Sequence, residues 1–288
     1  MKHRKRLILL IVAGGLILGL ALSIYTSANC LTVNTYLWKT DRISGDVKLV
    51  VLSDLHDHEF GKDNERLVEK VEEQNPDLIL LDGDMLNEDS EDAQVPLTLV
   101  QKLVEIAPVY YAKGNHEDAY LQAGHTELIE ELEHAGAVYL DQDYVDVQVH
   151  GEKIRIGGLY DYAFGLDGND STEAVDPGIR KFLEEYQDTD CLRIMMSHRP
   201  DSFIFGDASS VWEVDLVISG HNHGGQVVLP FLGGVFGGDQ GYFPEYIHGM
   251  YRKDQMDIFA TSGLGSHGEI FPRINNIPEI AVIELQGQ

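Results

Sequence analysis

Cysteine is nearly absent: Cys30 and Cys191 are the two in 288 residues. That excludes a disulfide framework and any thiolate zinc site. Positive charge is also scarce, with 21 Lys and Arg against 48 Asp and Glu. Four of those cations (Lys2, Arg4, Lys5 and Arg6) precede residue 7, so the rest of the chain carries 17 cations against 48 anions, formally −31. A body this acidic argues against a nucleic-acid backbone as its main partner and against adhesion to anionic lipid by charge alone. Multivalent cations remain attractive partners. The chain has no internal repeat, no low-complexity segment and no composition break that marks a domain boundary in its body.

Charge is missing altogether from residues 7–25, LILLIVAGGLILGLALSIY, whose one hydroxyl besides the terminal Tyr25 is Ser23. Nineteen residues at the α-helical rise span about 28 Å, close to the hydrocarbon thickness of a bilayer. A soluble core helix would show a polar face, and this run has none. The organisation expected is a basic cytoplasmic tip (1–6), a transmembrane anchor (7–25), a polar tether (26–46) and a body (47–288). The positive-inside rule puts the tip in the cytoplasm and the body outside it, as in a single-pass membrane protein. The competing reading is a signal peptide cleaved after Thr26-Ser27-Ala28, giving a secreted body; the apolar run is longer than the usual signal core, which favours the anchor.

From residue 47 onward, apolar β-rich runs alternate with amphipathic stretches. Strands are expected at 47–53, 77–82, 108–113, 191–197 and 214–220, with helices at 64–74, 95–106, 127–136 and 175–187. Residues 143–150 and 152–159 alternate in polarity about His150-Gly151, as in an antiparallel hairpin. Further strands are expected in QVVLP, DIFAT and EIAVIEL. This is an α/β chain with βαβ units first and a mixed second half.

The informative residues lie just past the strands. The first strand delivers Asp54 and His56, the second Asp84, the third Asn115, His116 and Glu117, the fourth His198, and the fifth His221 and His223. Any one of these has a bland explanation as a cap, a turn residue or a core histidine. Five sets at the carboxyl edge of an open α/β sheet, where ligands bind, argue for one site. Carboxylate, imidazole and carboxamide donors without thiolate suit Mn, Fe or Zn. Asp54 and His56 lie two apart, so an extended loop would point both to one side, and His221 and His223 repeat that spacing. Asp84 offers two oxygens and so can bridge two ions. Two cations about 3.5–4 Å apart clamp a phosphoryl group and activate a water, and a neighbouring imidazole, here His116, can protonate the leaving oxygen.

The ordered set Asp54-Leu55-His56, Gly83-Asp84, Gly114-Asn115-His116-Glu117, His198 and Gly220-His221-Asn222-His223 resembles the calcineurin-like metallophosphoesterases, over about residues 47–285. The resemblance implies a four-layer α/β/β/α sandwich of two mixed sheets. It implies that Asp54, His56, Asp84 and His223 hold one divalent metal ion and Asp84, Asn115, His198 and His221 a second. It implies that His116 is the acid or transition-state contact, paired with an acidic neighbour. The reaction implied is direct attack of metal-held hydroxide on a phosphomonoester, phosphodiester or pyrophosphate, with no covalent enzyme intermediate. Gly220 to Gln226, and the tail from Ser262-Gly263-Leu264-Gly265 through Arg273 to Pro278-Glu279-Ile280, resemble a membrane-associated or exported bacterial subgroup loosely grouped with enzymes of lipid-linked pyrophosphates. One departure is Asn87, where the family's second motif usually has an Asp; loss of a supporting charge there would weaken metal affinity or change metal preference.

The remaining features divide. Residues 224–249 are rich in Gly and aromatics, and a loop this long reads as a substrate loop, with lipid contact a further reading for its aromatics. Arg273 is a candidate contact to a phosphate oxygen, with a structural salt bridge as its bland alternative. His58 and Asp57 are candidate pocket-lining residues, and His267 receives no role. The rival to an enzyme is a non-catalytic, metal-stabilised scaffold that binds a partner through its acidic face. Within enzymes, a protein phosphatase or a cyclic nucleotide phosphodiesterase are the alternatives.

Overall fold

The computed structural model describes residues 2–267 and 271–288, so Met1 of the basic tip and residues 268–270 of the tail lie outside the described residues. The apolar run forms α1 (Lys2–Asn29), with nearly every apolar side chain exposed. After it come β1 (Thr32–Thr40), β2 (Asp46–Leu52), α2 (Glu65–Glu72), β3 (Leu78–Asp82), α3 (Gln94–Leu103), β4 (Val109–Ala112), α4 (Asn115–Gln122), α5 (Leu128–His134) and β5 (Val138–Leu140). The second half contains β6 (Asp143–Val149), β7 (Glu152–Gly158), α6 (Pro177–Gln187), β8 (Leu192–Met196), α7 (Asp201–Ile204), α8 (Ala208–Val211) and β9 (Leu216–Ser219). A short hairpin, β10 (Val228–Leu229) with β11 (Gly233–Gly234), precedes β12 (Gly249–Lys253), β13 (Met256–Ala260) and β14 (Glu279–Gly287).

Two six-stranded mixed sheets result, in the orders β1-β14-β2-β3-β4-β5 and β12-β13-β9-β8-β7-β6. Strands β2 to β5 run parallel, as do β7, β8, β9 and β13; β14 is antiparallel to β2, and β6 and β12 are antiparallel edges. Near-continuous apolar runs such as LILLD make strands that are buried on both faces. Leu49, Val51, Leu80, Ile154, Ile194, Leu216 and Ile283 fill the space between the sheets. Leu67, Val71, Leu99, Val100, Leu128 and Leu132 pack α2, α3 and α5 on the outside of the first sheet. Ile179, Phe182, Leu183, Phe203 and Ala208 pack α6, α7 and α8 on the outside of the second. The four-layer sandwich of two mixed sheets is therefore as expected.

The tether is not. Thr32–Thr40 is a nine-residue edge strand paired in parallel with β14, from Thr32 opposite Glu279 to Thr40 opposite Gly287. Trp38 and Ile43 enter the core between the sheets. The polar look of residues 26–46 arises because an edge strand keeps much of its surface wet, and its one partner strand lies at the far end of the chain.

Candidate metal centre

The parallel strands of both sheets bring their carboxyl ends to one edge. Asp54 and His56 follow β2, Asp84 follows β3, Asn115 opens α4 after β4, His198 follows β8, and His221 and His223 follow β9. The loops are not extended: Asp54, His56, Asp84, His221 and His223 all have positive φ, between 44° and 66°. Non-glycine residues rarely adopt that conformation, and such strain clusters at functional sites. Gly114 lies so close behind the site that a Cβ there would collide with Asp84 Oδ1.

Asp84 Oδ2 is the centre of the arrangement. It lies 3.0 Å from His198 Nε2, 3.9 Å from His56 Nε2 and 4.0 Å from His116 Nε2. Asp54 Oδ1 lies 3.7 Å from His198 Nε2 and 3.9 Å from His223 Nδ1. Two clusters, Asp54-His56-His223 and Asp84-His198-His221, each bring their donor atoms within 4.8 Å of one another, and a third joins His56, Asp84 and His116. Asp54 Oδ2, His56 Nε2, Asn115 Oδ1, His198 Nε2 and His223 Nδ1 are buried without a hydrogen-bond partner. Buried polar atoms are normally paired, because leaving one unpaired costs about 1–3 kcal/mol. Five such atoms around one point fit divalent cations, and the oxygen and imidazole donors fit the same group.

The backbone and supporting side chains leave these donor atoms free. His198 Nδ1 donates to Asp82 O at 2.7 Å, so its Nε2 faces the centre. The His221 backbone N–H donates to Asp54 Oδ1 at 3.0 Å, and that of His116 to Asp84 Oδ1 at 2.8 Å. The metal-free electrostatics show how poorly the site tolerates its own charges. Burial pushes the Asp54 carboxyl up to about 6 and the His56 and His221 imidazoles down to about 4 and 3. The Asp84 and Asp54 carboxylates overcome burial at His198 and raise it to about 10.

Asn87, the departure noted in the second motif, lies between His56 and Asp57. Its Oδ1 accepts from His56 Nδ1 at 3.0 Å, while its amide donates to Asp57 Oδ2 at 3.0 Å. Asp57 also accepts from the Asn87 backbone N–H and from the Ser90 hydroxyl. A neutral amide thus fixes the His56 tautomer, with a carboxylate behind it. Asn87→Ala is expected to weaken metal affinity about 10- to 100-fold, the usual cost of losing a ligand's supporting partner; competition with a fluorescent chelator measures it, and unchanged affinity would refute the assignment.

Arg273 is corrected. It is 5% exposed, and its guanidinium donates to the carbonyls of Asn276, Gly265, Ser262 and Gly263 and to Asn276 Oδ1. Those bonds clasp the 262–276 segment and engage all three guanidinium nitrogens within the protein. His58 likewise sits apart from the centre, in a cavity it shares with Ile24, Ser27 and Arg273.

Three residues near the site give little sign of it in the sequence. His267 lines the cavity of about 120 Å³ over the centre, with His116, His221, His223 and Phe236, and its ring lies 6.0 Å from that of His116. A histidine in a Gly-rich turn carries no local signal for this placement. Arg199 is stacked between Tyr160 and Tyr162 with a buried, unpaired Nε, close enough to lower the His221 imidazole. Its one signal is its position directly after His198. Asp82 is fully buried with both carboxyl oxygens unpaired, and burial holds its carboxyl well above the usual range. It reads in sequence as the last residue of a strand.

Residues 47–225 match the family described as calcineurin-like phosphoesterase. Among curated relatives, the chain is 28% identical over 247 residues to Cj0846, an uncharacterized metallophosphoesterase of Campylobacter jejuni, covering 84% of this chain and 60% of that one. It is 28% identical over 244 residues to the phosphodiesterase YaeI of Escherichia coli, covering 83% of this chain and 82% of that one. The chain thus spans less than two thirds of the Campylobacter protein's length. Among solved structures, the NAD nucleotidase of Haemophilus influenzae superposes with a TM-score of 0.46 at 15% identity, covering 76% of this chain and 46% of that one.

Proposed function

The chain belongs to the calcineurin-like phosphoesterases, and from that premise we propose that it is a metal-dependent hydrolase of phosphoric esters, held at a membrane by α1 with its body outside the cytoplasm. The observation that carries this reading is the set of buried, unpaired oxygen and nitrogen atoms that converge beside Asp84. Asp54, His56, Asp84 and His223 are proposed to hold one divalent ion, and Asp84, Asn115, His198 and His221 the other, with Mn, Fe or Zn suited to the donors. When bound, such a pair supplies Lewis acidity toward a phosphoryl oxygen and a water of lowered pKa.

The chain's own residues supply the rest. His116 Nδ1 lies 2.7 Å from Glu88 Oε2, closer than the Glu88 backbone N–H at 3.2 Å. The imidazolium donates Nδ1–H to that carboxylate and turns Nε2–H toward the cavity; it gives the Nε2 proton to the leaving oxygen and is left neutral, with Nδ1–H still held by Glu88. His116→Ala is expected to lower turnover of bis-p-nitrophenyl phosphate about 10²- to 10⁴-fold, the usual worth of a positioned acid, with metal content unchanged by elemental analysis. Full activity in that variant would refute the role.

The natural ester is proposed to be a phosphomonoester, phosphodiester or pyrophosphate carried by a lipid. Support comes from the attachment of α1 to the site: the Asn276 backbone N–H donates to Ser27 Oγ at 3.1 Å, and the Asn276 amide donates to His223 O at 2.5 Å. Assay of the full chain with Mn against water-soluble and lipid-linked phosphoesters tests the proposal. Preference for the lipid-linked set supports it, and inactivity toward every phosphoester overturns the enzyme reading.

A further inference from the structure

The loops around the metal centre carry an apolar surface that the hydrolytic reading leaves unused. At the tip of the β10–β11 hairpin, Leu229 O accepts from the Leu232 N–H at 3.1 Å across Pro230 and Phe231. Phe231 has φ 69° and is fully exposed. This is a turn with Pro at its second position and a left-handed third position, where glycine or asparagine is favoured. A bulky aromatic is strained there and gains no burial within the protein. Leu232, Phe271 and Ile277 are also exposed, at 66%, 63% and 40%. Exposed apolar groups clustered on neighbouring loops mark a contact surface.

The position of that surface identifies its occupant. Asn275 joins it to α1: its backbone N–H donates to Ser23 Oγ at 2.8 Å, its Oδ1 accepts from Ser23 Oγ at 2.9 Å, and its amide donates to Val228 O at 3.2 Å. The base of the hairpin is therefore pinned at the level of Ser23. Ser23 lies two residues inside the end of the apolar run, about 3 Å along the helix axis. A helix in a bilayer would bring this hairpin to the lipid headgroups, and Tyr25, exposed on the same last turns, suits that depth. The acidic body offers no attraction to anionic headgroups, so a contact here must be apolar.

We propose that Phe231 and Leu232, with Phe271 and Ile277, form a second membrane contact that enters the lipid monolayer beside α1. The contact holds the mouth of the metal cavity at the bilayer surface, because the hairpin comes directly after the His221–His223 loop and Phe236 lines the cavity. Access to the site is then from the plane of the membrane. The inference rests on the reading of α1 as a membrane anchor.

The test uses the full chain in phosphatidylcholine nanodiscs with ordinary or brominated acyl chains, and reads quenching of a tryptophan introduced as Phe231→Trp or, independently, Phe271→Trp. Trp38 and Trp212 are buried, and the unsubstituted chain supplies their background. Lys153→Trp, at the start of β7 and so at the opposite end of the sheets, is the reference. With side chains 5–10 Å into the interface, the introduced emission at 231 and 271 is expected to fall about twofold or more in brominated discs, and that at 153 to stay unchanged. Equal emission at 231, 271 and 153, with the chain retained in the disc, would overturn the second contact and leave the anchor standing. A chain that does not co-purify with discs would overturn the anchor reading, and this inference with it.

Discussion

Asp84→Ala is expected to abolish hydrolysis, with a loss of at least about 10³-fold, the equivalent of about 4 kcal/mol of transition-state stabilisation. The size reflects position. Asp84 Oδ2 lies within 4.0 Å of His56, His116 and His198, and the proposed ligand sets share this residue alone. Its Oδ1 also accepts from the His116 backbone N–H, so the substitution releases the start of α4. Removing any other ligand leaves one set intact; removing this one leaves neither. Elemental analysis of the variant is expected to find both ions depleted. A variant without bound metal that kept full turnover would refute the mechanism.

Glu117→Ala is expected to be the most destabilising single change at the site. Glu117 is fully buried and touches no reacting group. Its Oε1 accepts from the Met85 N–H at 2.7 Å and the Tyr111 hydroxyl at 2.7 Å; its Oε2 accepts from the Asp84 N–H at 2.7 Å and the Gly114 N–H at 2.8 Å. One carboxylate thus ties the loop after β3 to the loop after β4. Truncation leaves four buried donors unpaired, and breaking a buried charged network from one side costs roughly 3–5 kcal/mol. For a body of this size that corresponds to a fall in Tm of about 10 °C. Thermal unfolding of the chelator-treated full chain measures it without interference from metal binding. A shift within a degree of the unsubstituted chain would show that the loops hold their shape without this strut.

The residues that converge at the candidate metal centre were legible because each is local: a hydrophobic run stops and an Asp, Asn or His comes next. No long-range information is needed to see that, and parallel strands bring the ends together whatever the details of packing. What escaped depends on partners distant in sequence. Strand β1 exists because Thr32–Thr40 meets Glu279–Gly287, and nothing within residues 26–46 announces that. Helix α4 is eight residues long and buries Glu117 and Tyr120 rather than an apolar stripe, so periodicity gives no sign of it. Arg273 looked available because cations are scarce, but four carbonyls and a carboxamide between residues 262 and 276 surround it. Asn87 was visible as a departure, yet only the structure pairs it with Asp57 and His56. The left-handed backbone at Asp54, His56, Asp84, His221 and His223 also lies beyond sequence, since none of these residues demands it.

The most direct measurement is the metal stoichiometry of the full chain. Chelated protein is reloaded with Mn, freed of excess by gel filtration and analysed by mass spectrometry of the elements. Convergence of the two donor sets on Asp84 predicts about two ions per chain. A chain that retains none, or that binds the same number after Asp84→Ala, would contradict it.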